Sequence, residues 1–317
     1  MSTLLKILAI LTLALLLFAA FIQFAPLVKN DIPYPVVTIS SDSSVLARGD
    51  YLVYGPAHCV HCHSAEQDKE AAHHGEKVAL AGGRSFDLPF AKIYVPNLTP
   101  DPETGIGNIK NEAIARAMRF NTNHNGNTMI GFMTLTYMSD EDVSAVISYL
   151  RTQKPVHNPV PPSEYSFKGK FVNRYYDKPF EQTKPILSRA EIGPTVEYGE
   201  YLVHNVADCA GCHTKYSTDF FGRTYTGVRL SGGELFEEKE QIFTTPNLTP
   251  DPETGHIFNW SEEAFVARFK AGRVYESSPM PWDNFKRMTE NDLRAIYKYL
   301  RTVPPHKNKI EAIVVSR

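Results

Sequence analysis

RGDYLVYGPAHCVHCH, residues 48–63, recurs without a gap as YGEYLVHNVADCAGCH, residues 198–213. The offset is 150, and it holds along the chain. Gly82-Gly83 corresponds to Gly232-Gly233, PNLTPDPETG at 96–105 returns unchanged at 246–255, and SYLRT at 148–152 matches KYLRT at 298–302. Self-similarity at one fixed spacing marks a duplication. It divides the chain into an N-terminal segment (1–35), a first repeat (43–154), a connector (155–192), a second repeat (193–306) and a tail (307–317).

All four cysteines lie in the two C-x-x-C-H strings, Cys59/Cys62/His63 and Cys209/Cys212/His213, so none is left for a structural disulfide. Haem vinyl groups need two thiols a fixed distance apart, and the iron needs an imidazole on the same side. C-x-x-C-H supplies all three within one turn and is the attachment signature of c-type haem. A zinc centre would want four ligands from pairs close together, whereas these pairs sit one per repeat. A dithiol redox pair does not require a histidine directly after the second cysteine. The expected cofactors are therefore two covalently bound haem c groups, with His63 and His213 as iron ligands.

A sixth ligand would complete each iron, and thioether sulfur opposite histidine suits electron transfer. In the second repeat, Met280 stands before Pro281 in an irregular segment, where core filler is less expected. In the first repeat, alignment of the preceding helices places Met129 on Met280. Met133 is the runner-up and His124 a further candidate, while Met138 directly precedes a helix cap and reads as structural. Of the other histidines, His58 and His61 are expected to face solvent or a propionate, and His73 and His74 to lie on a charged surface loop. Glu234, Glu237, Glu238 and Glu240 form an acidic patch, read as a solvated loop rather than a docking edge.

Helical periodicity dominates. Val143, Val146, Ile147 and Leu150 make one face of a closing helix, with Ser139 as cap and Asp142 at N3 approximating a capping box. The second repeat has Thr289, Asp292 and the face Leu293, Ile296, Tyr297 and Leu300. Further helices are expected at 44–57, 194–207, 111–120 and 261–271. No alternating run is long enough to predict a sheet, so the fold class is mainly α. The connector combines six prolines with Tyr165, Phe167, Phe171, Tyr175, Tyr176 and Phe180. Prolines oppose a continuous helix and aromatics oppose a free tether, so it should lie extended and packed across both repeats.

Ile7 to Val28 is apolar except for Thr12, Gln23 and Pro26, with Lys6 before it and Lys29 after. At ~1.5 Å per residue this run matches the ~30 Å hydrocarbon core of a bilayer. It exceeds the roughly 7–15 apolar residues of a secretory signal and lacks a clean A-x-A site, so a transmembrane anchor is the preferred reading and a cleaved signal the alternative. Either carries the remaining chain across a bacterial cytoplasmic membrane to the periplasmic side. A formal charge of −2 gives no reason to expect nucleic acid as a partner.

Together these residues resemble the class I cytochrome c fold, and more closely the cytochrome c subunits of bacterial membrane-bound alcohol, gluconate and sorbitol dehydrogenases. The resemblance covers 43–306. It rests on C-x-x-C-H, on NLTPDPETG with the helix after it, on Met280-Pro281, on YLRT, and on the connector string KPVHNPVPPSEYSFKGKFVNRYY. It implies an N-terminal transmembrane helix followed by two tandem class I cytochrome c domains. It also implies that Pro96 and Pro246 offer backbone carbonyls to the two histidines. Tyr149-Leu150 and Tyr299-Leu300 would pack the closing helices near Gly49 and Gly199. Three departures stand out: such subunits usually carry three haems, they are usually not attached by an N-terminal helix, and Ile130 replaces a proline after Met129. The implied role is non-catalytic, relaying single electrons between redox partner proteins such as a dehydrogenase. The alternatives are a fixed subunit of a respiratory oxidase or quinol-oxidising complex, and a dihaem peroxidase. Cys209→Ser combined with Cys212→Ser is expected to leave one covalent haem per chain, read by intact-protein mass spectrometry; two remaining haems would refute the attachment at 209–213.

Overall fold

The computed structural model describes residues 2–129, 133, 135–219, 222–238 and 240–317, with only the backbone described at 218, 219, 222 and 223. The expected helices form. Asn111–Phe120 and Glu262–Ala271 stand where their periodicity places them, and Asp140–Arg151 and Glu290–Leu300 close the two repeats. Ser139 Oγ accepts from the Asp142 amide at 3.2 Å, and Thr289 Oγ1 from the Asp292 amide at 3.1 Å. Each cap thus satisfies one of the amides that a helix start leaves without an internal partner.

In each repeat the closing helix crosses the helix before the cysteines, Ser43–Tyr54 in the first and Val196–Tyr201 in the second. Gly49 and Gly199 sit at the crossings. A Cβ at either would overlap the carbonyl oxygen of Ala145 or Ala295 and press on the Cβ of Tyr149 or Tyr299. Both first helices finish with a wide turn, Ala57 N–H donating to Leu52 O at 2.9 Å and Ala207 N–H to Leu202 O at 2.8 Å.

The capping box does not close as expected. Asp142 does not reach back to its own cap amide; that amide donates to the hydroxyl of Tyr201, in the other repeat, at 3.0 Å. The Tyr201 hydroxyl in turn donates to Asp142 Oδ2 at 2.6 Å. The reverse exchange also exists: Tyr51 of the first repeat accepts from the Thr289 amide at 3.1 Å and donates to Asp292. Arg48 adds a two-pronged bond to Asp142, at 2.8 and 2.9 Å, and a contact to the Tyr198 hydroxyl at 3.3 Å. Because Arg48 and Tyr198 are equivalent positions, the second repeat lacks its own arginine here. The contact is reciprocal in the manner of a two-fold dimer interface, with both halves on one chain. A single apolar cluster runs through both, including Leu52, Met138 and Val146 with Leu202, Met288 and Leu293.

Strands form that the sequence did not announce. Ser85–Leu88 pairs antiparallel with Ala91–Tyr94, which takes Glu164–Tyr165 as its other neighbour. In the second half Leu235–Glu237, Gln241–Thr244 and Val314–Ser316 repeat this order, and Tyr216–Asp219 pairs with Gly222–Tyr225. Segments of two to four residues are too short to carry a period-2 signal. The offset of 150 therefore continues past the closing helices: Asn158 and Asn308 both donate, at 2.9 Å, to Ala81 O and Ser231 O.

Thr3–Phe24 is one helix of 22 residues, with mean hydropathy 2.7 across its most apolar window and 6% of that window buried. The connector is not extended throughout, since Phe167–Tyr175 forms a short helix between its prolines and packs on the end of Thr3–Phe24. Tyr51→Phe and Tyr201→Phe are each expected to cost about 1–3 kcal/mol, the cost of stranding a buried carboxylate and amide. Denaturant unfolding of the haem-loaded protein measures this, with exposed Tyr176→Phe as the silent control.

Candidate haem-attachment sites

Cys59–His63 and Cys209–Cys212 are short helical turns, each entered through a left-handed residue, His58 (φ 39°) and Asp208 (φ 49°). Spacings of three and four residues bring both thiols and the imidazole to one side of the turn. His63 and His213 are buried. The Nδ1–H of each donates to a proline carbonyl at 3.0 Å, Pro96 for His63 and Pro246 for His213. A carbonyl can only accept, so Nδ1 carries the proton and Nε2 keeps its lone pair for a metal. Burial pushes both imidazoles down to about 4 despite that bond, so both are neutral at physiological pH. A carbonyl partner of this kind fixes the ring and raises its basicity as a ligand.

The PNLTPDPETG strings hold those prolines in place. Asn97 Nδ2 donates to Val156 O, and Asn247 Nδ2 to His306 O, both at 2.8 Å. Asp101 and Asp251 each accept from the amide three residues on, at 2.7 Å, and that bonding lowers the pKa of both carboxyls. Gly82 and Gly232 complete the frame. Their amides donate to the carbonyls of His63 and His213 at 2.8 Å, and at φ 67° and 71° a Cβ would lie 2.5 Å from the proline carbonyl carbon. Repetition marks these strings in the sequence; the Asn97 and Asn247 bonds that anchor them reach 59 residues along the chain.

The donor set fits haem c. Burial pushes the Cys59 and Cys209 thiols up to about 12, so both stay S–H beside a histidine whose Nε2 is left for a metal. Among the described residues, the cluster with spacing for a metal ion is Glu70, His74 and Glu276, which is exposed and contains no cysteine.

Met280 is half-buried against the apolar cluster, and its carbonyl accepts from the Trp282 amide at 2.8 Å. Met129 is half-buried too, with its amide donating to Asn121 O at 2.7 Å and its carbonyl accepting from the Asn121 side chain. Met133 is also half-buried, while Ile130, on which the comparison with Pro281 turns, lies outside the described residues. His124 is exposed. Met138 and Met288 are fully buried under the closing helices, as expected of structural residues.

Of the remaining histidines, His74 is exposed as expected, while His58, His61 and His73 are half-buried. His61 stacks on His73 with ring centroids 4.7 Å apart, and burial drives His61 down to about 2 and His73 to about 4. Neither His61 Nδ1 nor His73 Nε2 has a hydrogen-bond partner. His58 meets the Phe285 ring edge-on at 5.5 Å. The charged loop is largely exposed as expected, but its 73–75 backbone meets the second repeat, Arg273 bonding to His73 O at 3.2 Å and Arg287 to Gly75 O at 2.6 Å. Only His74 of this group is exposed, 3.3 Å from Glu276. The acidic patch also divides: Glu234 is buried and accepts from the Tyr216 amide at 2.9 Å, while Glu237 pairs with Arg317 at 3.2 Å.

The cytochrome c family model matches residues 47–154, which contain the first turn, its proline partner and Met129. Residues 47–154 are a cytochrome c domain. Such a domain holds haem c covalently and serves electron transfer. The chain is 28% identical over 281 residues to the cytochrome c subunit of a quinone-type alcohol dehydrogenase from Gluconobacter oxydans (strain 621H), covering 83% of this chain and 56% of that protein. It is 28% identical over 280 residues to the fructose dehydrogenase cytochrome subunit of Gluconobacter japonicus, covering 82% and 52%. A diheme cytochrome c-type protein of Cereibacter sphaeroides matches at 25% over 317 residues, 93% of this chain and 96% of that one. The chain thus spans a little over half the length of the two dehydrogenase subunits.

Proposed function

We propose that this chain is a membrane-tethered dihaem c-type cytochrome that relays single electrons between redox partner proteins on the periplasmic side of a bacterial cytoplasmic membrane. Two tandem cytochrome c domains, 43–154 and 193–306, follow an anchor in 1–35. The observation that carries the reading is the twice-made bond from a buried histidine Nδ1 to a proline carbonyl, 3.0 Å in both halves. The same frame built twice implies the same cofactor twice. Cys59 and Cys62, and Cys209 and Cys212, would form the thioethers; His63 with Met129, and His213 with Met280, would hold the iron.

Haem c, when bound, supplies the one-electron iron couple. The protein holds each proximal imidazole neutral and oriented, excludes water by burying it, and sets the position of one half against the other through the Tyr51 and Tyr201 exchanges. Thr3–Phe24 has the length of a bilayer span and leaves its apolar side chains uncovered, which supports the anchor. A dehydrogenase is the favoured electron donor because the alcohol and fructose dehydrogenase subunits match more than four-fifths of this chain.

Met280→His is expected to lower the potential of one haem and leave haem content intact, read by potentiometric titration; an unchanged titration would remove Met280 as a ligand. Gentle solubilisation of native membranes should bring down a quinoprotein or flavoprotein dehydrogenase with this chain, identified by mass spectrometry. Recovery of a haem-copper oxidase or quinol-oxidising complex in its place would refute the dehydrogenase assignment.

A further inference from the structure

The connector helix Phe167–Tyr175 makes an unusual set of contacts. Lys170 Nζ donates to Gln23 O and an Arg174 nitrogen to Pro26 O at 2.6 Å, so two cations sit where the apolar helix runs out of internal partners for its last carbonyls. Arg174 also lies over the Phe21 ring at 4.8 Å, and the Val28 amide donates to Asn173 Oδ1 at 3.0 Å. Tyr175 reaches further and stacks on Phe18 at 6.4 Å. Phe18 precedes the helix end at Phe24 by six residues, about 9 Å along the axis. The connector helix is thereby fixed in height at the C-terminal end of the apolar helix.

Its uncovered side is aromatic, and Lys178 just beyond it is exposed. Phe167, Tyr175 and Tyr176 are 45%, 44% and 49% exposed. Residues 167–178 hold Lys168, Lys170, Arg174 and Lys178 against one acid, Asp177. Large exposed aromatics are costly in water and favoured at the headgroup level of a bilayer, where cations meet anionic phosphates. We propose that Phe167–Tyr175 with Tyr176 is a membrane-surface element that lies in the phospholipid headgroup layer and fixes the height and tilt of the electron-transfer domains above the bilayer. The proposal rests on the reading of Thr3–Phe24 as an anchor. A helix crossing the bilayer alone would leave the domains free to swing; a second contact beside its exit holds them at one angle.

The test uses the full haem-loaded chain in phosphatidylethanolamine/phosphatidylglycerol vesicles with photoactivatable phospholipids. One probe carries its diazirine near the headgroup, the other at the acyl-chain end, and cross-linked peptides are located by mass spectrometry. Residues 167–176 are expected to be labelled by the headgroup probe several-fold above residues 306–317, and not above them by the chain-end probe. Residues 3–24 should react with both. Labelling of 3–24 with 167–176 no higher than 306–317 would overturn the surface element and leave the anchor standing. Absence of labelling in both segments would overturn the anchor and the surface element together.

Discussion

A buried carboxylate has to be paired, and in this protein the pairing is crossed. Asp142 and Asp292 lie in the first turns of the two closing helices, each almost wholly buried, and each receives its proton donor from a tyrosine of the opposite repeat. The same hydroxyls accept from the amides of Ser139 and Thr289. An unpaired buried charge is strongly destabilising, so neither repeat can move away without stranding groups in the other. The shared apolar cluster and the bonds of Arg273 and Arg287 to His73 O and Gly75 O lie where the two repeats meet.

Within each half a second constraint is local. The Asn and Asp side chains of PNLTPDPETG hold the loop that aims the proline carbonyl at the histidine, and a glycine passes close behind it because no Cβ fits. This explains why ten residues are retained without change in two copies that otherwise differ. Asymmetry enters elsewhere. His61 and His73 have Gly211 and Arg223 as their counterparts, and Arg48 has Tyr198. The stacked imidazoles therefore occur only beside the first cysteine turn, where Arg273 of the second half bonds to His73 O and Phe285 meets His58. The two cysteine turns are built on one plan and finished differently.

The N-terminal helix and the connector form a third unit. Gln23 and Pro26 present carbonyls that have no helical partner, and Lys170 and Arg174 supply the donors. Charge at the end of the apolar segment is thus balanced by a segment 145 or more residues away, and the connector that joins the halves is also what ties them to the helix.

The duplication, the two attachment turns, the caps at Ser139 and Thr289 and the apolar helix were legible in the sequence because each is a relation between near neighbours. Ligand spacing within one turn, a cap three residues from its amide and an unbroken apolar run carry their chemistry in local order. Met138 was readable as structural for the same reason. The crossed tyrosines, the burial of His61 and His73, the two-to-four-residue strands and the helix at Phe167–Tyr175 were not. Each depends on partners tens to hundreds of residues distant, and whether a polar side chain faces water or a buried carboxylate is settled only when the two repeats pack together.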